Sequence, residues 1–369
     1  MKNRLCFLQI ARGIACLLIV YIHWLRFLHN PNGSADIVFQ PAIEGYIAPS
    51  ITTQIMELKN KILPFDFREV YFGLGLFFLI SGFVIPLSME KGTQIEFLIR
   101  RILRIYPVVI ITTIMTSIIL FLSQRYYNSD FSVVNWIKTT FGNMFLVRDV
   151  LHYQFVDPSL WTLEIEIHFY ILCFFMGFVS LHKKATCLVT IAFLFCIAAY
   201  FGKLFQTSKM LEIFGHNGSF ITLMLIGTSL FNCKYHGWSF KKTALVISVL
   251  FITNKYCLSH NFEIITADYI FANHVYVFLF FLVLLFTEEK IPYSKTLESL
   301  ANISYPLYLV HGVGAYSIFF LIVRVTNSVL AGFLISMIEI AIITYLIHIY
   351  VENKGVAYSK KLIYKLLRK

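Results

Sequence analysis

About ten apolar stretches, most of them about 18 residues or longer, recur along the 369-residue chain, and this recurrence narrows its possible folds more than any other feature. They fall near 7–27, 70–88, 104–123, 160–181, 185–202, 219–232, 243–258, 269–287, 301–323 and 328–351, with 219–232 the shortest. Each full-length stretch can cross ~30 Å of hydrocarbon as a helix. Lipid offers backbone amides no partners, so spanning segments form helices or closed barrels, and runs of this length favour helices. The expected fold is an all-α polytopic membrane protein, a bundle of about ten transmembrane helices. Charged residues make up only 14% of the chain, against ~25% in soluble domains.

Basic residues set the expected orientation. With both termini cytoplasmic, most of the 31 Lys and Arg fall inside, including Lys2, Arg4, Arg100, Arg101, Arg104, Lys183, Lys184, Lys241 and Lys242. Residues 1–6 form a short cytoplasmic start and 352–369 a basic amphipathic tail, within a single integral-membrane domain spanning 1–369. Positive-inside loops beside anionic lipid account for most of the net charge of +11 without nucleic acid. The seven cysteines are scattered, with neither paired nor metal-like spacing, so no disulfide framework and no metal site is expected. The first apolar run carries Arg12 and lacks a small-residue cleavage site, unlike a signal peptide. The longest outward loops, 28–68 and 124–159, are punctuated by Pro31, Pro41, Pro49, Pro64 and Pro158; they suit a lid or an acceptor surface, or equally a packed cap.

Arg12 and His23 lie within the first apolar run. A charge at the bilayer centre costs at least ~2.5–3.5 kcal/mol, so such residues are functional candidates. Eleven residues make about three helical turns, placing both side chains on one face, roughly 16 Å apart along the axis. That spacing suits a long, phosphate-ended ligand whose reactive end reaches the imidazole.

Four further phrases carry chemistry. In the run from Phe97 to Pro107, Arg100, Arg101 and Arg104 share helical faces at spacings of three and four, able to fork onto phosphate or simply to anchor the cytoplasmic end. In the run from Tyr71 to Phe83, Gly73, Gly75, Ser81 and Gly82 admit a close helix or a thin ligand. In the run from Leu160 to Tyr170, two carboxylates and an imidazole sit in an apolar frame. Glu164 and His168, four apart, can pair, while Glu166 points elsewhere. His311 lies in the ninth run, where a hydrogen-bonded core role competes with catalysis, and His274 and His348 are set aside for want of polar neighbours.

Taken together, these phrases resemble the membrane-bound acyltransferase family 3, whose members mostly O-acylate carbohydrates. The matching residues are Arg12 with His23; Phe77–Phe83; Arg101, Arg104, Tyr106 and Pro107; Leu160, Trp161, Leu163, Glu166, Phe169 and Tyr170; and Ser304, Tyr305, Tyr308, Leu309 and His311. Glu352 resembles a closing Glu-x-Pro whose proline is absent, and Glu164 and His168 replace residues commonly small or neutral in the family. The stand-alone form of the family, with no hydrolase-like domain after the last span, is expected.

The resemblance implies an acyl-coenzyme A co-substrate, most often acetyl, with no permanently bound cofactor. It implies an O-acyltransferase of the cell (inner or plasma) membrane acting on a carbohydrate, free or lipid-linked, such as lipopolysaccharide O-antigen or capsule. On this reading Arg12, Arg101 and Arg104, with Tyr106 and Ser81, bind the donor, and its pantetheine arm runs along the first helix to His23. His23 is the general base, or alternatively carries the acyl group. Glu166 is catalytic, Trp161 and Tyr170 bind the acceptor, and His311 assists from the opposite wall. A transporter or exporter of a lipid-linked glycan would also place charges at mid-membrane, but with pseudo-symmetric halves and interrupted helices.

Overall fold

The computed structural model describes residues 6–30, 48–64, 66–126, 133–205 and 208–367. Lys2, Arg4, Pro31, Pro41, Arg368 and Lys369, which figured in the orientation and loop arguments, lie outside these residues. Among the described residues every regular element is a helix. The first is α1 (Cys6–His29), followed by α2 (Ser50–Ile62), α3 (Glu69–Met89), α4 (Gln94–Tyr126), α5 (Val133–Met144) and a single turn, α6 (Arg148–Leu151). Next come α7 (Leu160–Lys183), α8 (Ala185–Leu204), α9 (Lys209–Tyr235), α10 (Phe240–Asn261) and α11 (Ile264–Phe286). The chain continues through α12 (Lys295–Val310), α13 (Val313–Thr326) and α14 (Val329–Ile347), passes one π turn at His348–Glu352, and reaches α15 (Asn353–Leu367).

All ten apolar runs are helical, which makes this an all-α polytopic membrane fold. Among the described residues seven helices are long and apolar enough to cross a bilayer, and α12 with α13 makes an eighth if the pair, bent by 66°, is one broken span. The ninth run, expected as one helix, is therefore interrupted. Helices α9 and α10 fall outside that test although both runs were expected to span. In α9 the reason is burial: Asn217 through Asn232 are enclosed by protein, so this helix carries Asn217, Ser219, Thr222, Thr228, Ser229 and Asn232 without presenting them to lipid.

The chain divides into two compact units. Unit 1 comprises 1–15, 66–98 and 165–298; unit 2 comprises 16–65, 99–164 and 299–369.

In unit 1, α3 and α9 cross at Gly82 and Gly227. A methyl group at Gly82 would meet the Met224 carbonyl oxygen at 1.8 Å, and one at Gly227 the Leu79 carbonyl oxygen at 2.3 Å. Small residues let backbones touch, and the Thr228 hydroxyl uses the approach to donate to Gly82 O at 2.9 Å. The small-residue stripe on α3 is thus explained at Gly82 by helix packing. A buried polar chain holds α9, α10 and α11: His274 Nδ1 lies 3.0 Å from Asn254 Oδ1, and the Asn254 amide donates to Ser219 O and Thr222 Oγ1. His274, set aside for lacking polar neighbours, has one on the preceding helix, which sequence spacing does not reveal.

In unit 2, the second half of α1 is enclosed by α13 and α14. Phe27 stacks on Tyr316 at 4.1 Å, and Trp24 and Phe27 meet Phe319 edge-on. Within the segment 124–159, α5 lies along α4, with Thr140 bonded to Ser117, Trp136 Nε1 donating to Ser117 O, and Phe145 O receiving the Tyr106 hydroxyl. The opposite face of α5, with Val134, Ile137 and Phe141 at helical spacing, is exposed and apolar, the pattern of a segment beside lipid. In the first half of α4, Pro107 has no N–H and so leaves the Leu103 carbonyl without its helical donor. Gly355 of α15 fills the gap, approaching so closely that a methyl there would lie 2.3 Å from Leu103 O.

Candidate active site

His23 and His311 meet within unit 2. His23 Nδ1 lies 2.9 Å from His311 Nε2, and the ring planes are within 13° of one another. His311 Nδ1 is in turn 2.8 Å from the Tyr308 carbonyl oxygen. A carbonyl only accepts, so Nδ1 of His311 carries the proton and Nε2 presents a lone pair. For two neutral rings His23 Nδ1 must then donate, and His23 Nε2 is left as the basic nitrogen. The hydrogen-bond pattern thus assigns both tautomers. His23 is part-exposed, whereas His311 is fully buried. His311 stands directly against His23 and is enclosed by protein.

The backbone is broken where His311 sits. Helix α12 ends at Val310 and α13 begins at Val313, so the polar groups around the break need partners inside an apolar bundle. Trp24 Nε1 donates to His311 O at 3.0 Å. Asp157 Oδ2 accepts the Val313 N–H at 3.0 Å, while its Oδ1 accepts from Ser159 N at 2.8 Å. One carboxylate therefore caps the start of α7 and the start of α13 together, and its charge suits both helix N-termini.

Two side chains of α12 and the His311 that follows it reach three different partners. The Tyr305 hydroxyl donates to Ile105 O of α4 at 2.9 Å, Tyr308 bonds Ser159 O and Thr162 Oγ1 at the start of α7, and His311 bonds His23. The spacing of this phrase is that of a register key, with the imidazole at its end.

Glu166 forms a second constellation, in unit 1. Its Oε1 accepts from both Ser81 Oγ, at 3.2 Å, and the Tyr170 hydroxyl. Glu166 is part-exposed and, among the described residues, its Oε2 makes no hydrogen bond. Tyr170 is itself 2% exposed, with its hydroxyl on the Glu166 carboxylate. Trp161 is half-buried at the start of α7. The expected Glu164–His168 pair does not form. Glu164 is forked by Arg148, whose Nε lies 3.1 Å from Oε1, and also accepts from Asp149 N. His168 Nδ1 accepts from Asn217 Nδ2 at 2.8 Å.

The model of a family described as an acyltransferase domain, acyltransferase 3, matches residues 7–355. The chain belongs to the acyltransferase 3 family. It is thus a multi-pass membrane acyltransferase. No curated protein and no solved structure matches it.

The cationic residues of this acyltransferase 3 protein are less uniform than their spacing implied. Arg101 is buried at 8% exposure, whereas Arg104 is part-exposed with Nε 3.8 Å from Glu352 Oε1. Glu352 also meets His348 Nδ1 at 2.8 Å across the π turn, so His348, too, has the polar neighbour it was thought to lack. Arg12 is part-exposed on α1, and Tyr106 is engaged with Phe145 O through its hydroxyl. Sequence reasoning missed Asp157 and Trp24. The run Val156-Asp-Pro-Ser before an apolar helix is a capping signal for α7, but the second helix that Asp157 caps is remote in sequence.

Proposed function

We propose that this acyltransferase 3 protein transfers an acyl group, acetyl in the simplest case, from acyl-coenzyme A to a sugar hydroxyl of a cell-surface polysaccharide or glycolipid precursor. The observation that carries the reading is the His311–His23 contact, which leaves a lone pair on His23 Nε2. A lone pair held in place on an imidazole suits removal of a hydroxyl proton, and a positioned base contributes ~10²–10⁴-fold.

His23 Nε2 takes the hydroxyl proton as the sugar oxygen bonds to the thioester carbonyl carbon. The tetrahedral adduct then collapses with cleavage of the C–S bond, and the proton on Nε2 passes to the departing thiolate. The products are an ester and free coenzyme A. His311 Nδ1 keeps its proton on the Tyr308 carbonyl throughout, so His23 alone cycles.

Arg101 and Arg104 are assigned to the coenzyme phosphates, because guanidinium groups fork onto phosphate oxygens. Glu352 holds Arg104 in a partly exposed position from which a polyanion can draw it. Arg12 keeps the phosphate-binding task its spacing gives it. Ser81 is assigned, through Glu166, to a hydroxyl-binding carboxylate, and Trp161 offers an indole face to a sugar ring. Positive-inside topology makes the plasma membrane's cytoplasmic face the donor side.

The test is direct. Membranes containing the protein are given acetyl-coenzyme A and a surface glycan from cells lacking the gene, and thiol release and glycan mass are followed. The expected result is free thiol with acetylated glycan, both lost with His23→Ala at equal abundance. Glycan-independent turnover, or unchanged transfer by the variant, overturns the reading.

A further inference from the structure

We propose that a small cavity in unit 2, lined by α4, α12, α13 and α14, binds a monovalent cation of sodium's size. Its polar lining comes from Thr112, Thr116 and Glu339, with Leu309, Val310 and Gly314 among its other lining residues.

Glu339 sits midway along α14, a membrane helix, and its Oε2 is buried without a hydrogen-bond partner among the described residues. A lone carboxylate in hydrocarbon is costly unless something neutralises it. The surroundings are built to accept a positive charge. Helix α12 stops at Val310, and the last four carbonyls of a helix lack helical donors. Two of these four are taken, Leu307 O by His311 N and Tyr308 O by His311 Nδ1. The residues carrying the other two, Leu309 and Val310, line the cavity, at the end of the helix where the dipole is negative.

The hydroxyl of Thr112 donates to Val108 O at 2.9 Å, so its lone pairs are turned away from that bond and remain available. Carboxylate, hydroxyl and carbonyl oxygens are the ligands of a hard cation, and a single carboxylate balances a single charge. Broken membrane helices place such cations at their exposed carbonyl ends. The cavity, about 20 Å³, has room for one occupant of water's size. Leu309 and Val310 immediately precede His311, so the cation would brace the break that carries the imidazole.

The probe is sodium chloride against choline chloride at equal ionic strength, read as thermal melting of the purified full-length protein in detergent. Sodium should raise the Tm by a few degrees, saturably, as expected for a ligand that binds only the folded state. Glu339→Gln should abolish the rise, and Thr116→Val should shift its midpoint to several-fold higher sodium. Absence of a sodium-specific rise in the wild-type protein overturns the proposal, because the carboxyl is then simply protonated. An equal rise in Glu339→Gln also overturns it, as a general salt effect. If Glu339→Gln does not accumulate, Thr116→Val decides: an unchanged midpoint counts against the site. Melting is measured without donor or glycan, so this result stands apart from that of acyl transfer.

Discussion

His311 donates its Nδ1 proton to the carbonyl of Tyr308 and receives, at 2.9 Å on Nε2, the Nδ1 of His23. The second imidazole therefore fixes which nitrogen of the first is basic.

That relationship makes the two histidines energetically coupled. His23→Ala should lower kcat ~10²–10⁴-fold. His311→Ala, by freeing the tautomer and the ring, should lower kcat on the order of 10–10²-fold with little change in the KM for donor. Residues acting as a unit are strongly non-additive, so the double variant should be no slower than His23→Ala. Steady-state kinetics on all three variants check this; additive losses would assign His311 an independent task.

Asp157 ties α7 to α13, and Asp157→Ala leaves the Val313 and Ser159 amides buried without acceptors. The expected cost is about 1–3 kcal/mol for each amide so orphaned, visible as a lower Tm in detergent. Because the break would relax, kcat should fall further than folded abundance does. Equal losses in both would make Asp157 a purely structural cap.

The Arg148–Glu164 fork is expected to serve stability alone. Arg148→Ala strands a carboxylate that is 2% exposed, a loss of ~3–5 kcal/mol, while the paired change Arg148→Met with Glu164→Gln should recover most of it. Membrane abundance reports the first effect, and activity per folded molecule should stay level in the recovered pair.

Arg104 and Glu352 predict opposite signs on one constant. Arg104→Ala should raise the apparent KM for acyl-coenzyme A, while Glu352→Gln, which releases the guanidinium, should lower it severalfold. Donor titrations at saturating acceptor test both. No change in either would leave Arg104 as a topological anchor.

Much of the architecture is legible in the sequence because hydropathy is a local property: a run of apolar residues is a helix in lipid whatever lies beside it. The break at His311 is less visible. Pro306 and Gly312 flank the imidazole and both disfavour an uninterrupted helix, yet the apolar count from 301 to 323 conceals the interruption. Pairing is the part that spacing cannot supply. Glu164 and His168 stand one turn apart, but each finds a better partner from another segment, Arg148 and Asn217. His23 and His311 were both recognised as candidates from their cost in lipid, while their contact spans 288 positions and needs the fold to close it.

The Gly82–Gly227 crossing has a mechanical consequence. Two helices whose main chains touch, with a hydroxyl of one clipped to a carbonyl of the other, have no slack in which to slide or rotate, and α3 and α9 must travel as one strut. Any breathing in unit 1 during turnover has to occur along seams other than this one.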